Sequence, residues 1–220
     1  EDLYNRIKDY GPKGMSIAAI SGIDIALWDI VGKSCNKPVH KLIGGAFRTE
    51  VDAYATGLYF TDMDRLVDEA VEEAEGYVRE GFRAIKMKIG LGSIGRDFDR
   101  VKAVRGAIGP DVKLMVDANH CFAVPAAIRL GRRLEELDIE WFEEPISPED
   151  IDGYRELKNL TNIYLAAGEN EFTKVGFREW VSRRAVDMLQ PDLCAAGGFT
   201  ECRKISALAQ AWHMPITPHV

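Results

Sequence analysis

The sequence predicts an α/β barrel, and three observations carry that expectation. Short apolar runs alternate with helical patterns along the chain, the mark of a parallel sheet with helices outside it. Six acid, base or ligand candidates, Lys88, Asp117, Glu143, Glu169, Asp192 and His219, recur at gaps of 29, 26, 26, 23 and 27 residues. Each sits at or just past the end of an apolar run. A (β/α)₈ barrel of about 250 residues spends roughly 30 on each strand–helix unit and carries its chemistry at the C-terminal ends of its strands. A doubly wound open sheet gathers its chemistry at one switch point instead, so the even distribution favours the barrel.

The elements follow in order. Residues 16–33 place apolar side chains at helical spacing behind Ser16, an expected N-cap, and Gly44-Gly45 breaks that pattern. Strands are expected over 51–57, 83–88, 113–118, 139–144, 163–169, 185–192 and 215–219. Between them, Thr61 with Asp64 opens a long helix that ends near Gly81. Further helices are expected over 96–108, 124–137, from Ser147-Pro148 onward with the proline in the first turn, over 172–183 and over 199–212. Seven strands leave an eight-stranded barrel unclosed, with exposed edges, so the natural chain is expected to continue past Val220. The residues before the first strand read as the tail of another domain.

A length of 220 residues holds one large domain, or one domain and a fragment. Apolar residues at 46% and charged residues at 29% place the chain among globular proteins. A net charge of −7 with both signs interspersed argues against a nucleic-acid surface, though not against an anionic substrate. Cys35, Cys121, Cys194 and Cys202 form no C-x-x-C pair, and reduced thiols in a cytoplasmic protein are the expectation. No apolar run approaches the roughly 18 residues of a membrane span, so no membrane is expected as a partner.

The candidates have a common chemistry. Lys86 and Lys88 are two apart on a strand and so share a face. Facing a barrel interior, each ammonium disfavours the charged form of the other, which helps one act as a base. K-x-K alone is more ordinarily a solvated face. Asp117, Glu143 and Glu169 end three successive strands, and converging carboxylates repel unless a cation lies among them. An all-oxygen set points to a hard ion, Mg²⁺ before others. Periodicity does not decide between Glu143 and its neighbour Glu144. Asp192 and His219 end adjacent strands, so the carboxylate can orient the imidazole and favour its protonated form. Asn119 shares a face with Asp117 if the strand persists, and His120 and Asn170 are weaker polar candidates. Tyr54 and Tyr59 are expected to pack, and Gly197-Gly198 to form a tight turn and not a phosphate site.

As a set these stretches resemble the enolase superfamily, specifically its mandelate racemase-like branch within the mandelate racemase/muconate lactonizing enzyme family. The resemblance lies in SGIDIALWD (21–29), KMK (86–88), VDAN (116–119), EEP (143–145), GEN (168–170), QPD (190–192) and PHV (218–220), in the family's order over nearly the whole chain. It implies a TIM-like (β/α)₇β barrel with an α+β capping domain: 1–48 as the tail of the capping region and 49–220 as a barrel that stops before its eighth strand. It also settles Glu143 over Glu144, and makes Asp117, Glu143 and Glu169 the Mg²⁺ ligands. Lys88 becomes the base on one face of the substrate, tuned by Lys86, and His219 with Asp192 the acid/base on the other. Asn119, Lys86 and His120 fall to substrate binding.

The implied step is removal of the proton α to a carboxylate, giving a metal-stabilised enolate. WFEEP (141–145), LQPDLC (189–194) and GGFTE (197–201) are similar to acid-sugar dehydratases and aldarolactone cycloisomerases. The expected partner is a sugar acid or its lactone, and the expected assembly a homo-oligomer. Racemisation or epimerisation of an α-hydroxy acid is the second reading, and a noncatalytic barrel is the reading from another class.

Overall fold

The structure is a computed structural model and describes residues 1–220. In chain order its helices and strands are α1 (Asp2–Ile7), α2 (Met15–Ser34), α3 (Val39–Leu42), β1 (Ala55–Gly57), α4 (Leu66–Arg79), β2 (Ala84–Lys88), α5 (Ile94–Ile108) and β3 (Lys113–Asp117). There follow α6 (Val124–Leu134), β4 (Ile139–Glu143), α7 (Ile151–Leu160), β5 (Leu165–Ala167), α8 (Thr173–Ser182), β6 (Met188–Leu189) and α9 (Gly198–Ala211). Six parallel strands thus alternate with helices, as the apolar runs predict. The chain divides into two compact units, one of Asp52–Ala166 and one of Glu1–Val51 with Ala167–Val220, the division falling inside β5.

In the unit Asp52–Ala166 the strands pair in sequence order, β1 with β2, β2 with β3, β3 with β4, and β4 with the start of β5. The β2–β3 register sets Lys88 opposite Asp117, and the β3–β4 register sets Asp117 opposite Glu143. Successive candidates therefore stand at one level at the C-terminal strand ends. Ile85, Lys86 and Met87 are all buried, as are Leu114 through Asp117. This is the burial of parallel strands covered on both faces, where alternation is lost. Val101, Val104, Leu130, Leu134 and Leu157 bring helices onto that core, each fully buried, and such burial contributes about 1.5–3 kcal/mol per large apolar side chain. Ser93 caps α5 by accepting from the Arg96 amide, and Asp150 caps α7 by accepting from Gly153.

In the other unit, α2 lies against α9 through polar contacts as well as apolar ones. Ser21 Oγ accepts from the Gly197 amide at 2.8 Å, Asp24 accepts from the Thr200 amide at 3.0 Å, and Trp28 Nε1 donates to Thr200 Oγ1 at 2.9 Å. A Cβ on Gly198, whose φ is +74°, would collide with the Asp24 side chain. The Gly197-Gly198 turn thus admits a carboxylate from α2 to the start of α9, and a tight turn is what the sequence predicts there. By length and composition α2 is apolar enough to cross a membrane, with a mean hydropathy of 1.5, where the sequence reading expected no such stretch. Its bonds to Gly197 and Thr200 are those of a packing helix.

Several expected boundaries shift for identifiable reasons. The seventh strand is reduced to isolated bridges, Leu189 with Ile216 and Asp192 with His219. Thr217 and His219 donate to Leu189 and Pro191, and Leu189 donates to Pro215, but Pro215 and Pro191 have no N–H to extend the ladder. Ser16 lies inside α2, whose N-cap is Gly14. Thr61 bonds to Glu69 and not to a residue at Asp64, and α4 begins at Leu66. The helix expected from Ser147-Pro148 begins at Ile151, behind the Asp150 cap.

Candidate functional site

The strand ends of the unit Asp52–Ala166 hold a buried cluster of two acids and two lysines. Asp117 and Glu143 are 0% and 1% exposed, far too buried to stay ionised without compensation. Lys86 Nζ lies 2.6 Å from Glu143 Oε1 and 3.4 Å from Asp117 Oδ2. Lys88 Nζ lies 2.5 Å from Asp117 Oδ2 and donates to Asn119 Oδ1 at 2.8 Å. The second oxygens are used as well: Asp117 Oδ1 accepts from the Asn119 amide at 3.0 Å, and Glu143 Oε2 from Trp141 Nε1 at 3.0 Å.

Lys86 and Lys88 share a face, as their spacing predicts. Burial alone would lower the Lys86 pKa, but the charge of Glu143, its hydrogen bond and then the charge of Asp117 hold it above its ordinary value. Lys86 is therefore a fixed positive charge beside Lys88. Aromatic rings complete the surroundings. Tyr54 meets Trp141 edge-on at 5.6 Å and lies 5.8 Å from the Lys86 ammonium, and Tyr59 lies 6.0 Å from that of Lys88. Tyr54 packs as expected, whereas Tyr59 is 55% exposed.

Beyond the strand ends the backbone turns sharply. Asn119, His120 and Glu144 have φ of 40°, 56° and 38°, uncommon for non-glycine residues and frequent at functional sites. β3 ends at Asp117, so Asn119 does not reach Lys88 by strand alternation. The turn brings it there, while the amides of Ala118 and His120 bond to the carbonyls of Glu143 and Glu144. The His120 side chain is exposed. Glu144 is itself fully buried, and it is Glu143 that meets Lys86.

In the other unit, His219 stands between two carboxylates. Its Nδ1 is 2.8 Å from Asp192 Oδ2 and its Nε2 is 3.0 Å from Glu169 Oε2. The Nδ1 contact is a hydrogen bond, and an imidazolium would pair by charge with both carboxylates. Asp192 Oδ1 accepts from the Cys194 and Ala195 amides at 2.6 and 3.0 Å, which aims its other oxygen at His219. Glu169 follows Gly168, whose φ is +145° and where a Cβ would lie 2.9 Å from the Gln190 backbone. Only glycine lets the chain turn so close to β6. Two residues on, Glu171 accepts from the Phe172 amide, Trp180 Nε1 and Lys13 Nζ, fixing the segment that carries Glu169. Sequence reading passed over Glu171. A signal was available in Gly176, where a side chain would strike its carboxylate.

Comparison with known proteins accords with this geometry. The family "Mandelate racemase / muconate lactonizing enzyme, N-terminal domain" matches residues 5–44, and "Enolase C-terminal domain-like" matches 69–220. The chain is 48% identical over 219 residues to a D-galactarolactone cycloisomerase of Agrobacterium fabrum, covering 99% of this chain and 57% of that one. It is 42% identical over 219 residues to an arabinonate dehydratase of Saccharolobus solfataricus, covering 100% and 58%. A racemase from Streptomyces coelicolor, solved with bound magnesium, superposes with a TM-score of 0.93 at 37% identity, covering 100% of this chain and 64% of that one. The chain thus spans somewhat over half the length of the curated relatives it matches.

Replacing Lys86 by methionine leaves the Glu143 and Asp117 carboxylates short of one cation. Urea unfolding in EDTA is expected to show a loss of about 3–5 kcal/mol, the usual result of stripping one partner from a buried ion pair. A variant as stable as the parent would show that Lys86 does not compensate these acids.

Proposed function

This chain belongs to the mandelate racemase/muconate lactonizing enzyme family of the enolase superfamily, and from that premise we propose that the protein removes the proton α to the carboxylate of a sugar acid or its lactone. The observation that carries the reading is the Lys88 ammonium between the side chains of Asp117 and Asn119, with Lys86 held cationic beside it. A base at that position has an orientation fixed by its contacts to Asp117 and Asn119.

Asp117, Glu143 and Glu169 are the residues proposed to hold Mg²⁺. They offer only carboxylate oxygen, the donor type that magnesium prefers, and the two from the Asp52–Ala166 unit already draw positive charge to themselves. When bound, the ion would offset the negative charge that builds on the substrate carboxylate. Lys88 takes the α-proton from one face. His219, oriented by Asp192, donates a proton on the other. If that proton goes to a β-hydroxyl, the C–O bond breaks, water leaves, and the enol product tautomerises to a 2-keto-3-deoxy acid. If the leaving oxygen belongs to a ring, the same transfer opens it. Asn119 and Lys86 are proposed to meet the substrate carboxylate, and His120, whose side chain is exposed, to contact the substrate at its edge.

Dehydration or cycloisomerisation is preferred because relatives at 48% and 42% identity carry those names. Racemisation stands second, since a protein 37% identical is described as a racemase and acid/base groups on two faces suffice for it. A noncatalytic barrel would not need Lys88, the three acids and the Asp192–His219 pair together. On the same reading, residues 1–48 are the tail of a capping region and 49–220 the barrel. The free cysteines favour a reducing, cytoplasmic setting.

In the whole protein, Lys88→Ala is expected to abolish α-proton exchange on one stereochemical face and His219→Ala on the other, read by proton NMR of each epimer in D₂O. Equal residual exchange on both faces in either variant would refute the two-sided assignment. Glu169→Gln is expected to weaken Mg²⁺ binding at least tenfold by calorimetry, the loss of about 1.4 kcal/mol. Unchanged affinity would remove Glu169 from the ligand set.

A further inference from the structure

Arg100, on the buried side of α5, is a charged residue to which neither the sequence pattern nor the proposed chemistry gives a role. It is 3% exposed, and its guanidinium is spent on backbone carbonyls. Nη1 donates to the carbonyl of Lys88 at 2.5 Å. Nη2 donates to the carbonyls of Leu58 and of Tyr59, the latter at 3.1 Å, and Nε to that of Leu66 at 3.2 Å. Four carbonyls from two separate stretches thus converge on one planar cation. One is the last residue of β2, two lie in the connection from β1 to α4, and one is the first residue of α4.

Those carbonyls have reason to need it. Leu58 has a φ of +55° and is fully buried, so its backbone is held in a conformation that a leucine seldom adopts. Its amide donates to Glu73 Oε1 at 3.0 Å, and its carbonyl accepts from Arg100 Nη2. Past Lys88 the amide of Gly90 donates to Asp97 Oδ1 at 3.0 Å, one turn before Arg100 on the same helix. The first turns of α5 therefore grip the backbone on both sides of Lys88–Gly90. The same guanidinium also holds the residue whose ring lies against the Lys88 ammonium, Tyr59.

We propose that Arg100 is a positioning residue for Lys88 and for the β1–α4 connection that bears Tyr59, setting the base and its aromatic neighbour in one register through their backbone carbonyls. The inference rests on the reading of Lys88 as a base, and it makes no direct contact between Arg100 and substrate. A lysine in its place could reach one or two of the four carbonyls but not all, since only the guanidinium fork presents donors in several directions at once.

Two measurements test it. Amide hydrogen exchange of the whole protein without ligand is expected to show protection of residues 57–61 and 87–90 falling about tenfold or more in Arg100→Lys, the effect of losing hydrogen bonds to a charged group. Peptides from β3 and β4 should be unchanged. The second readout is α-proton exchange on the two faces. Arg100→Lys is expected to lower kcat for the Lys88 face at least tenfold, with KM nearly constant, and to leave the His219 face near the parent rate. Loss of protection spread evenly over the chain, or equal loss on both faces, would make Arg100 a stability residue only and overturn the proposal. If the parent itself exchanges no α-proton, the proposed function fails, and the hydrogen-exchange pattern alone still decides whether Arg100 sets the Lys88 backbone. Arg100→Met serves as the control in which all four contacts vanish, and protection retained there would also overturn it.

Discussion

Two carboxylates removed from water, Asp117 and Glu143, set the terms for everything around them. Ionised acids at that depth are tolerated only beside positive charge, and here the charge comes from Lys86 and Lys88 on the neighbouring strand. The arrangement depends on register. Lys88 faces Asp117 across β2–β3, and Asp117 faces Glu143 across β3–β4, so a slip of one residue would turn the acids away from the lysines that compensate them. Stability and chemistry therefore rest on the same pairing. A site assembled this way is preorganised by the sheet, and side-chain packing has only to refine it.

The supports differ between the two units. In Asp52–Ala166, the lysines and acids compensate one another, and the turns after β3 and β4 use unusual backbone conformations at Asn119, His120 and Glu144. In the unit that includes Glu169, hydrogen bonds do the aiming. Two backbone amides hold Asp192, Asp192 holds His219, and Gly168 permits the close turn beside β6. In both, helices α5 and α8 are positioned partly by buried polar groups, Arg100 and Glu171, which reach loops that carry the candidates.

Much of this was legible in the sequence because it follows simple periods. Strand alternation placed Lys86 and Lys88 on one face, and the recurring spacing marked the strand ends. What escaped was set by geometry that no period encodes. Asn119 reaches Lys88 by a left-handed turn and not by continued strand, a contact that strand alternation does not predict. The last strand dwindled to bridges because two prolines withhold amides. Arg100 was invisible because a buried arginine reads as a surface charge until its partners are known, and Glu171 had no mark beyond a glycine in the helix that follows it. Helix starts erred where a capping residue lay a few positions from the first plausible one, as Asp150 does from Ser147.

We propose that the whole protein, with Mg²⁺, makes the proton α to a sugar-acid carboxylate exchangeable. The most direct measurement is proton NMR in D₂O with Mg²⁺ and a panel of aldonates, aldarates and their lactones. The account predicts loss of the α-proton signal for at least one compound, with a 2-keto-3-deoxy acid or a ring-opened product beside it if elimination follows. A panel that keeps every α-proton, under conditions where calorimetry shows Mg²⁺ bound, would contradict it.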